Sequence, residues 1–211
     1  MLKYSCVSVF VLSCIAASSP AAAAQFAGPR AEVRGGWDRT TLSVDDAVDS
    51  VSGSDHSSGW DAGVEVGYDA ALGKSLIAGA YAGVEFANTK ECGEVFGDDS
   101  LCLKLGRNFT LGGRIGVKVS PKVMLYAKAG YSNGQLRAVY RNTDDPSLNG
   151  DAHSNRGGLH FGAGGEASVG PNRYVRIEYV RTEYDAYSDP DLGGSIDGHR
   201  DQVLAGFGLR F

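Results

Sequence analysis

The sequence lacks any hydrophobic run long enough for a membrane-spanning helix. Beyond the first 24 residues, no stretch approaches the roughly 20 consecutive apolar residues that such a helix needs. Basic excess is also missing, since the formal net charge is −5, and this gives no basis for nucleic-acid binding. A spanning β-barrel stays open, because its strands need only about 10 residues each, with apolar side chains at alternate positions.

The composition favours strands and tight turns over helices. The 211 residues include 30 Gly and 10 Tyr. Glycine costs a helix about 1 kcal/mol relative to alanine, whereas aromatic residues are enriched in strands. The length suits one domain of ordinary size.

Residues 1–24 are predicted to be an export signal peptide, and residues 25–211 the mature domain. Lys3 supplies a positive charge, an apolar core follows at 6–15, and the alanines at 21–24 offer a cleavage site before Gln25. The alternative is a lipoprotein site at Cys14. It is weaker, because the apolar run before Cys14 is short and a better cleavage site follows it.

Few cysteines remain once the signal is removed, namely Cys92 and Cys102. Export places them in an oxidising compartment, where an even pair usually forms a disulfide. A metal site is the rival hypothesis, but two Cys without nearby His fall short of four ligands. We therefore expect a disulfide, no metal site and no cofactor.

Alternating apolar and polar residues predict eight strands. The most regular one covers 101–119, where only Arg107 breaks a single apolar phase that contains Leu103, Leu105, Phe109, Leu111, Ile115, Val117 and Val119. Other strands are predicted at 31–41, 60–68, 76–86, 123–131, 159–169, 175–179 and 203–211. Long connections at 43–58, 88–100, 141–156 and 185–198 alternate with tight turns at 72–74, 120–122 and 170–172. This alternation predicts an all-β, eight-stranded antiparallel up-and-down transmembrane β-barrel with both ends on the tight-turn side.

The polar face of these strands combines glycine with isolated charges, as the narrow interior of a small barrel requires. We predict an interior charge network of Glu65, Glu85, Arg114, Lys128, Glu166, Arg176, Glu178 and Arg210. Aromatic residues near strand ends are expected at the membrane interfaces: Trp60, Tyr68, Phe86, Phe109, Tyr131, Tyr179 and Phe211. A soluble lipocalin-like barrel is the alternative, because a half-buried soluble sheet also alternates.

Several segments resemble the small outer-membrane β-barrel family (opacity-like or porin-like), which is related to the membrane domain of outer membrane protein A. Residues 125–131 resemble its fifth strand, and 159–166 with 175–179 resemble its sixth and seventh strands. The last segment resembles the C-terminal signal of such barrels, with Gly206, Leu209 and Phe211 at the matching positions. Since nothing follows Phe211, we expect no peptidoglycan-binding domain.

The resemblance implies a monomer in the outer membrane of a Gram-negative bacterium, with a structural or porin-like envelope role. Its implied partners are outer-membrane lipid, lipopolysaccharide and the outer-membrane assembly machinery. The interior charges could line an ion path, but an eight-stranded interior is just wide enough for side chains, which favours a structural network.

Surface recognition of a host or surface ligand is an alternative function, carried by acidic loops. The acidic residues are Asp45, Asp46, Asp49, Asp55, Glu91, Glu94, Asp98, Asp99, Asp144, Asp145, Asp151, Asp189, Asp191 and Asp197. The simpler interpretation is that they keep the loops solvated and hold divalent cations among lipopolysaccharide headgroups. None of these loops has the spacing of a calcium-binding loop.

A lipid-modifying enzyme is the least favoured hypothesis. Of four His, only His160 lies on a predicted strand in the inward phase. Nucleophilic catalysis needs a Ser beside a His that an acid orients. Because His160 with Glu166 lacks a Ser at matched depth, we expect no enzyme.

Overall fold

The computed structural model describes residues 24–46, 52–88, 90–94, 99–143, 146–189 and 194–211. Its strands are β1 (Gly28–Asp46), β2 (Ser52–Ala71), β3 (Leu76–Ala87), β4 (Lys90–Glu94), β5 (Ser100–Ser120), β6 (Val123–Arg141), β7 (Gly150–Ser168), β8 (Arg173–Asp189) and β9 (Gly194–Arg210). Single 3₁₀ turns occur at Ala24–Phe26 and Pro146–Leu148. The described helices are too short to cross a bilayer. Residues 1–23 of the predicted signal peptide lie outside the described residues, as do the predicted loop acids Asp49, Asp98, Asp144, Asp145 and Asp191.

Eight of the strands form a closed antiparallel barrel. Neighbouring strands follow the order β3-β2-β1-β9-β8-β7-β6-β5, and β3 pairs with β5 to close the wall. The predicted eight-stranded barrel is therefore confirmed. The short strand β4 was not predicted, and it pairs with residues 100–104 of β5 in a hairpin.

The two faces of the wall have the predicted orientation. Large apolar side chains point away from the barrel, as shown by Leu111 and Ile177, which are 65% and 61% exposed. Charged side chains such as Arg114 and Glu178 point inward and are buried. This arrangement is the reverse of a soluble barrel and matches a membrane barrel.

The three predicted tight turns are confirmed. β2 and β3, β5 and β6, and β7 and β8 are each joined by two to four residues. In the first turn Gly73 has a φ of +131°, a conformation that glycine adopts without the steric cost other residues meet. The backbone N–H of Leu72 donates to the carbonyl of Leu76 at 2.8 Å and closes this turn.

Three of the predicted long connections contain long extensions of the strands. β1 and β2 leave only 47–51 between them, β7 begins at Gly150, and β8 and β9 leave only 190–193. The predicted loop bounds 43–58, 141–156 and 185–198 were therefore wrong. Residues 52–59 of β2 and 150–158 of β7 are polar or glycine at nearly every position, so the backbone ladder continues there without an alternating apolar pattern in the sequence.

The single apolar phase predicted for 101–119 was also wrong. Leu105 pairs with Leu136 and Asn108 with Gly134, so Gly106 and Arg107 together face one residue of β6. Such a β-bulge shifts the phase of a strand by one residue. The interruption at Arg107 marks the bulge, and residues on its two sides do not share a face.

A small hydrophobic cluster fills the barrel interior at the tight-turn end. Phe26, Ile77, Met124 and Tyr126 are buried against one another. Phe26 comes from the 3₁₀ turn that precedes β1, and its carbonyl accepts a hydrogen bond from Arg210 Nη1 at 2.7 Å. The rest of the described interior is predominantly polar.

Candidate functional site

The barrel interior holds an array of ionic side chains, here called the interior charge cluster. It arises because every second residue of each strand points inward. Its members are Arg30, Glu32, Arg34, Asp38, Asp61, Glu65, Asp69, Glu85, Arg114, Lys128, Glu166, Arg176, Glu178, Arg200 and Arg210. Eight of these are carboxylates and seven are cations, so the charges nearly balance.

Glu65 is the hub of the cluster. Its two carboxylate oxygens lie 2.7 Å from Arg30 Nη1, 2.6 Å from Arg34 Nη1, 3.1 Å from Lys128 Nζ and 3.1 Å from Arg176 Nη1. Four cations from three different strands, β1, β6 and β8, therefore converge on one side chain. Buried charges are tolerated when they are paired and hydrogen-bonded in this way.

A second layer lies nearer the tight-turn end. Arg114 donates two hydrogen bonds to Asp69, at 2.9 and 2.6 Å. Arg210 donates to Asp69 at 2.7 Å and to Glu166 at 2.6 Å. Such forked contacts are strong and geometrically specific, so this layer links β2, β5, β7 and β9.

A third layer lies nearer the long hairpins. Arg200 contacts Asp38 at 2.8 Å and Asp61 at 2.5 Å, and Gln202 donates to Asp61 at 2.8 Å. Glu85 accepts hydrogen bonds from Gln202 and from Arg34. Together the three layers run through the length of the barrel.

His160 has a serine partner, contrary to the sequence prediction. Ser132 Oγ lies 2.8 Å from His160 Nδ1, and the hydroxyl of Tyr81 lies 2.5 Å from Nε2. The prediction failed because Ser132 belongs to the neighbouring strand β6, and sequence spacing does not show the diagonal contact. Glu166 instead pairs with Arg114 and Arg210.

The geometry does not form a catalytic triad. The second ring nitrogen of His160 faces a phenol where a triad would place an acid. Ser132 and His160 are 0% and 2% exposed. Neither side chain is presented at the surface.

The eight predicted network residues all lie in the interior, and most pair with one another. Glu85 differs, since its cationic partners are Arg34 and Arg200. Sequence reasoning left seven members out of the predicted network: Arg30, Glu32, Arg34, Asp38, Asp61, Asp69 and Arg200. The first strand does show the signal, because polar residues recur at every second position from 30 to 34.

The surface hairpin of β4 and β5 is fastened at two points. Cys92 and Cys102 form a disulfide between directly paired positions. Asp99 accepts hydrogen bonds from the hydroxyl of Tyr140, from Asn142 Nδ2 at 2.9 Å and from the backbone N–H of Thr143 at 3.0 Å. The hydrogen bond from Tyr140, followed by that from Thr143, holds the pKa of Asp99 below its ordinary value.

Among the residues that the structure describes, no group of three or more His, Cys, Asp or Glu is placed to hold a metal ion. One acidic residue of the surface hairpins, Asp151, instead contacts arginine side chains. Asp151 accepts hydrogen bonds from Arg137 at 2.6 Å and from Arg141 at 3.3 Å, and the contact with Arg137 lowers its pKa most.

Comparison with known proteins gives a family and one curated relative. The family model of the outer membrane protein beta-barrel domain matches residues 8–211. A 22 kDa outer membrane protein of Rhizobium leguminosarum bv. viciae is 34% identical over 110 residues, which is 51% of this chain and 48% of that protein. The chain thus spans about half the length of this relative.

Three solved structures align with more than four fifths of this chain. The outer membrane protease OmpT of Escherichia coli has a TM-score of 0.51 and 11% identity, over 87% of this chain and 97% of that one. Neisserial surface protein A has a TM-score of 0.48 and 15% identity, over 86% and 97%. The attachment invasion locus protein Ail of Yersinia pestis has a TM-score of 0.47 and 13% identity, over 88% and 100%. At such identity, the similarity to OmpT concerns the fold alone.

Proposed function

Because the chain belongs to the family of outer membrane protein β-barrel domains, we propose that it is a structural barrel of the cell outer membrane whose filled interior conducts no solute. The observation that carries the proposal is the interior charge cluster. Its charges nearly balance, and its hub Glu65 contacts four cations. A porin needs a water-filled lumen instead.

Opening a path through this interior would be costly. A solute would have to separate paired charges that water cannot reach, and breaking one buried pair costs about 3–5 kcal/mol. The path would cross all three layers in turn. At the tight-turn end it would also have to displace the cluster of Phe26, Ile77, Met124 and Tyr126.

Planar-bilayer recording tests the proposal. Purified protein, shown to be folded by the change in its gel mobility on heating, should give no stepwise conductance under conditions in which a known porin does. Reproducible channels of defined size from the folded protein would contradict the proposal. Channels that vanish after further purification would come from contaminating porin and would not contradict the proposal.

We also infer that the protein is not an enzyme, although its fold resembles that of a protease. Among the described residues, the Ser132–His160 pair is the one arrangement that suggests nucleophilic chemistry, but it is buried and lacks an acid. Overexpression should therefore leave the lipid A profile of the cells unchanged. A modified profile that disappears in the Ser132→Ala variant would overturn this inference.

Surface recognition is the second candidate function, and the surface hairpin of β4 and β5 favours it. The disulfide and the three hydrogen bonds to Asp99 fasten the described part of this hairpin to neighbouring backbone and side chains. A preordered surface loses less entropy when it binds a ligand. Cells displaying the protein should then adhere better than cells displaying the Cys92→Ser/Cys102→Ser variant, and equal adhesion of both to host surfaces would remove this support.

We propose that the remaining partners are outer-membrane lipid and the assembly machinery, with the protein itself a monomer. Phe211 is 72% exposed, and its N–H donates to the carbonyl of Pro29 at 2.9 Å beside the β1–β9 seam. The Phe211→Ala variant should assemble less efficiently than the control Phe207→Ala, which changes another outward phenylalanine of β9. Equal assembly of the two would argue against a recognition signal at Phe211.

A further inference from the structure

A group of polar side chains lies on the outer face of the barrel. It is located between the apolar band and the long surface hairpins. We call it the boundary cluster and define it as Arg39, Thr41, His56, Ser58 and His199. Ser58 and Arg39 are directly paired across β2 and β1, and His56, Thr41 and His199 form the next row across β2, β1 and β9. All five side chains are exposed or half-exposed.

Two tryptophans lie directly below the boundary cluster. Trp37 and Trp60 are paired across β1 and β2, and their rings meet edge to face with centroids 5.7 Å apart. Rows two residues apart along a strand are separated by about 7 Å. Since exposed tryptophans mark the membrane–water interface, the boundary cluster lies at the depth of lipid headgroups.

The carboxylate paired opposite Arg39 contacts other side chains. Asp201 is paired opposite Arg39, but it accepts a hydrogen bond from the hydroxyl of Tyr179 at 2.5 Å and lies 3.5 Å from Arg181. His199 Nε2 lies 3.7 Å from the same carboxylate. Of the ion pairs among the described residues, none involves the guanidinium of Arg39.

We propose that the boundary cluster binds a phosphate group of lipid A, the lipid anchor of lipopolysaccharide. The planar guanidinium of Arg39 matches the oxygens of a phosphate. The hydroxyls of Ser58 and Thr41 and the imidazoles of His56 and His199 supply further hydrogen-bond donors. The acyl chains would then pack on Trp37 and on the apolar outer face below it.

The depth and the side of the barrel select this lipid. The long hairpins lie on the same side as the boundary cluster, and in barrels of this type they face the cell exterior. The lipid of that leaflet is lipopolysaccharide, whose phosphates are anions in a headgroup layer. The inference rests on the proposed placement of the barrel in the outer membrane.

Tryptophan fluorescence provides a local reporter for the test. The chain has two Trp in all, and both lie beside the boundary cluster. Titration of the protein in detergent micelles with bisphosphorylated lipid A should give a saturable change in this fluorescence. Dephosphorylated lipid A should bind at least about tenfold more weakly, because the charge-assisted hydrogen bonds are lost.

The decisive comparison uses two matched variants. Arg39→Gln should weaken lipid A binding about tenfold. The control Arg107→Gln makes the same charge change at an exposed outward position elsewhere on the wall, over the ring of Phe109, and should bind like the wild type. Both variants should keep the heat-dependent gel mobility of a closed barrel.

Equal weakening in the two variants would mean unspecific charge attraction and would overturn the site, as would wild-type affinity in Arg39→Gln. Competition by phosphatidylglycerol as strong as that by lipid A would overturn the choice of lipid. These outcomes are separate from the proposed function, because a folded barrel that conducts nothing would stand even if it bound no lipid A.

Discussion

Glu65 is buried where Arg30, Arg34, Lys128 and Arg176 converge. The substitution Glu65→Gln keeps the size of the side chain and removes its charge. The four cations would then lack their shared counter-ion, and leaving buried charge uncompensated costs about 3–5 kcal/mol. We expect a clearly lower urea midpoint for the barrel in lipid vesicles, measured by gel mobility without heating.

The control for this prediction is Glu183→Gln. Glu183 is 59% exposed and lies 3.4 Å from Arg181 on the outer face. Exposed pairs of this kind contribute about 1 kcal/mol or less, so this variant should unfold near the wild-type midpoint. If both variants unfolded at the same urea concentration, Glu65 would not be the hub of the interior.

Asp99 gives a pH dependence at the surface. Its pKa is lowered, so its hydrogen bonds stabilise the hairpin fully above the ordinary carboxyl pKa of about 3.9, and this contribution is lost as the pH falls through the lowered pKa. The protection factor of the Thr143 amide proton, which is the exchange rate of an unprotected amide at the same pH divided by its own rate, should therefore fall on acidification with a midpoint below about 3.9. The same profile in Asp99→Asn would assign the effect to another group.

Residue positions could be predicted from the sequence where alternation was regular. Lys128, Glu166 and Glu178 lie in the inward phase of regular strands, and the structure buries all three. The contact of Ser132 with His160 could not be predicted, because cross-strand register sets it. Arg30 and Arg200 lie just outside the predicted strands 31–41 and 203–211. The alternation was not extended to these positions, so their inward orientation was not predicted.

At the scale of elements, the hairpins differ most from the sequence prediction. Tight turns were predicted well because proline and glycine mark them at 72–74, 120–122 and 170–172. The extensions of β2 and β7 were not predicted, since polar residues on both faces leave no periodic signal. β4 was missed for the same reason.

The disulfide is expected to fasten one hairpin and to leave the barrel wall unaffected. Cross-linking Cys92 to Cys102 closes a loop of about 10 residues, worth about 2–3 kcal/mol in the chain-entropy model. In Cys92→Ser/Cys102→Ser, cleavage by proteases within 90–104 should accelerate while heat-dependent mobility stays unchanged. Mass mapping without reductant should find both cysteines in one bridged peptide of the wild type.

Loss of the folded barrel in the double serine variant would contradict this division between hairpin and wall. Free thiols in freshly prepared wild-type protein would contradict the disulfide itself. Reduction of the wild type provides the matched control, because it opens the same loop without a substitution. It should reproduce the faster cleavage.

At the scale of the whole molecule, the fold inverts the usual distribution of side chains. The exterior presents Val, Leu, Ile and Phe, whereas the interior is packed with paired charges and glycines. The sequence predicted this inversion from glycine and isolated charge on one face and aliphatic residues on the other. It could not predict how the ion pairs are arranged, because that depends on which strands meet across the barrel.

Spin-label accessibility along β5 tests the orientation of the wall most directly. Single Cys substitutions at Leu111, Ile115 and Val117, with Asn108 and Thr110 as inward controls, would carry the label in protein reconstituted into vesicles. We predict high accessibility to oxygen dissolved in the lipid at the three outward positions, and low accessibility at the inward ones. Outward positions shielded from oxygen, with inward positions open to a water-soluble nickel complex, would show that lipid does not surround the barrel.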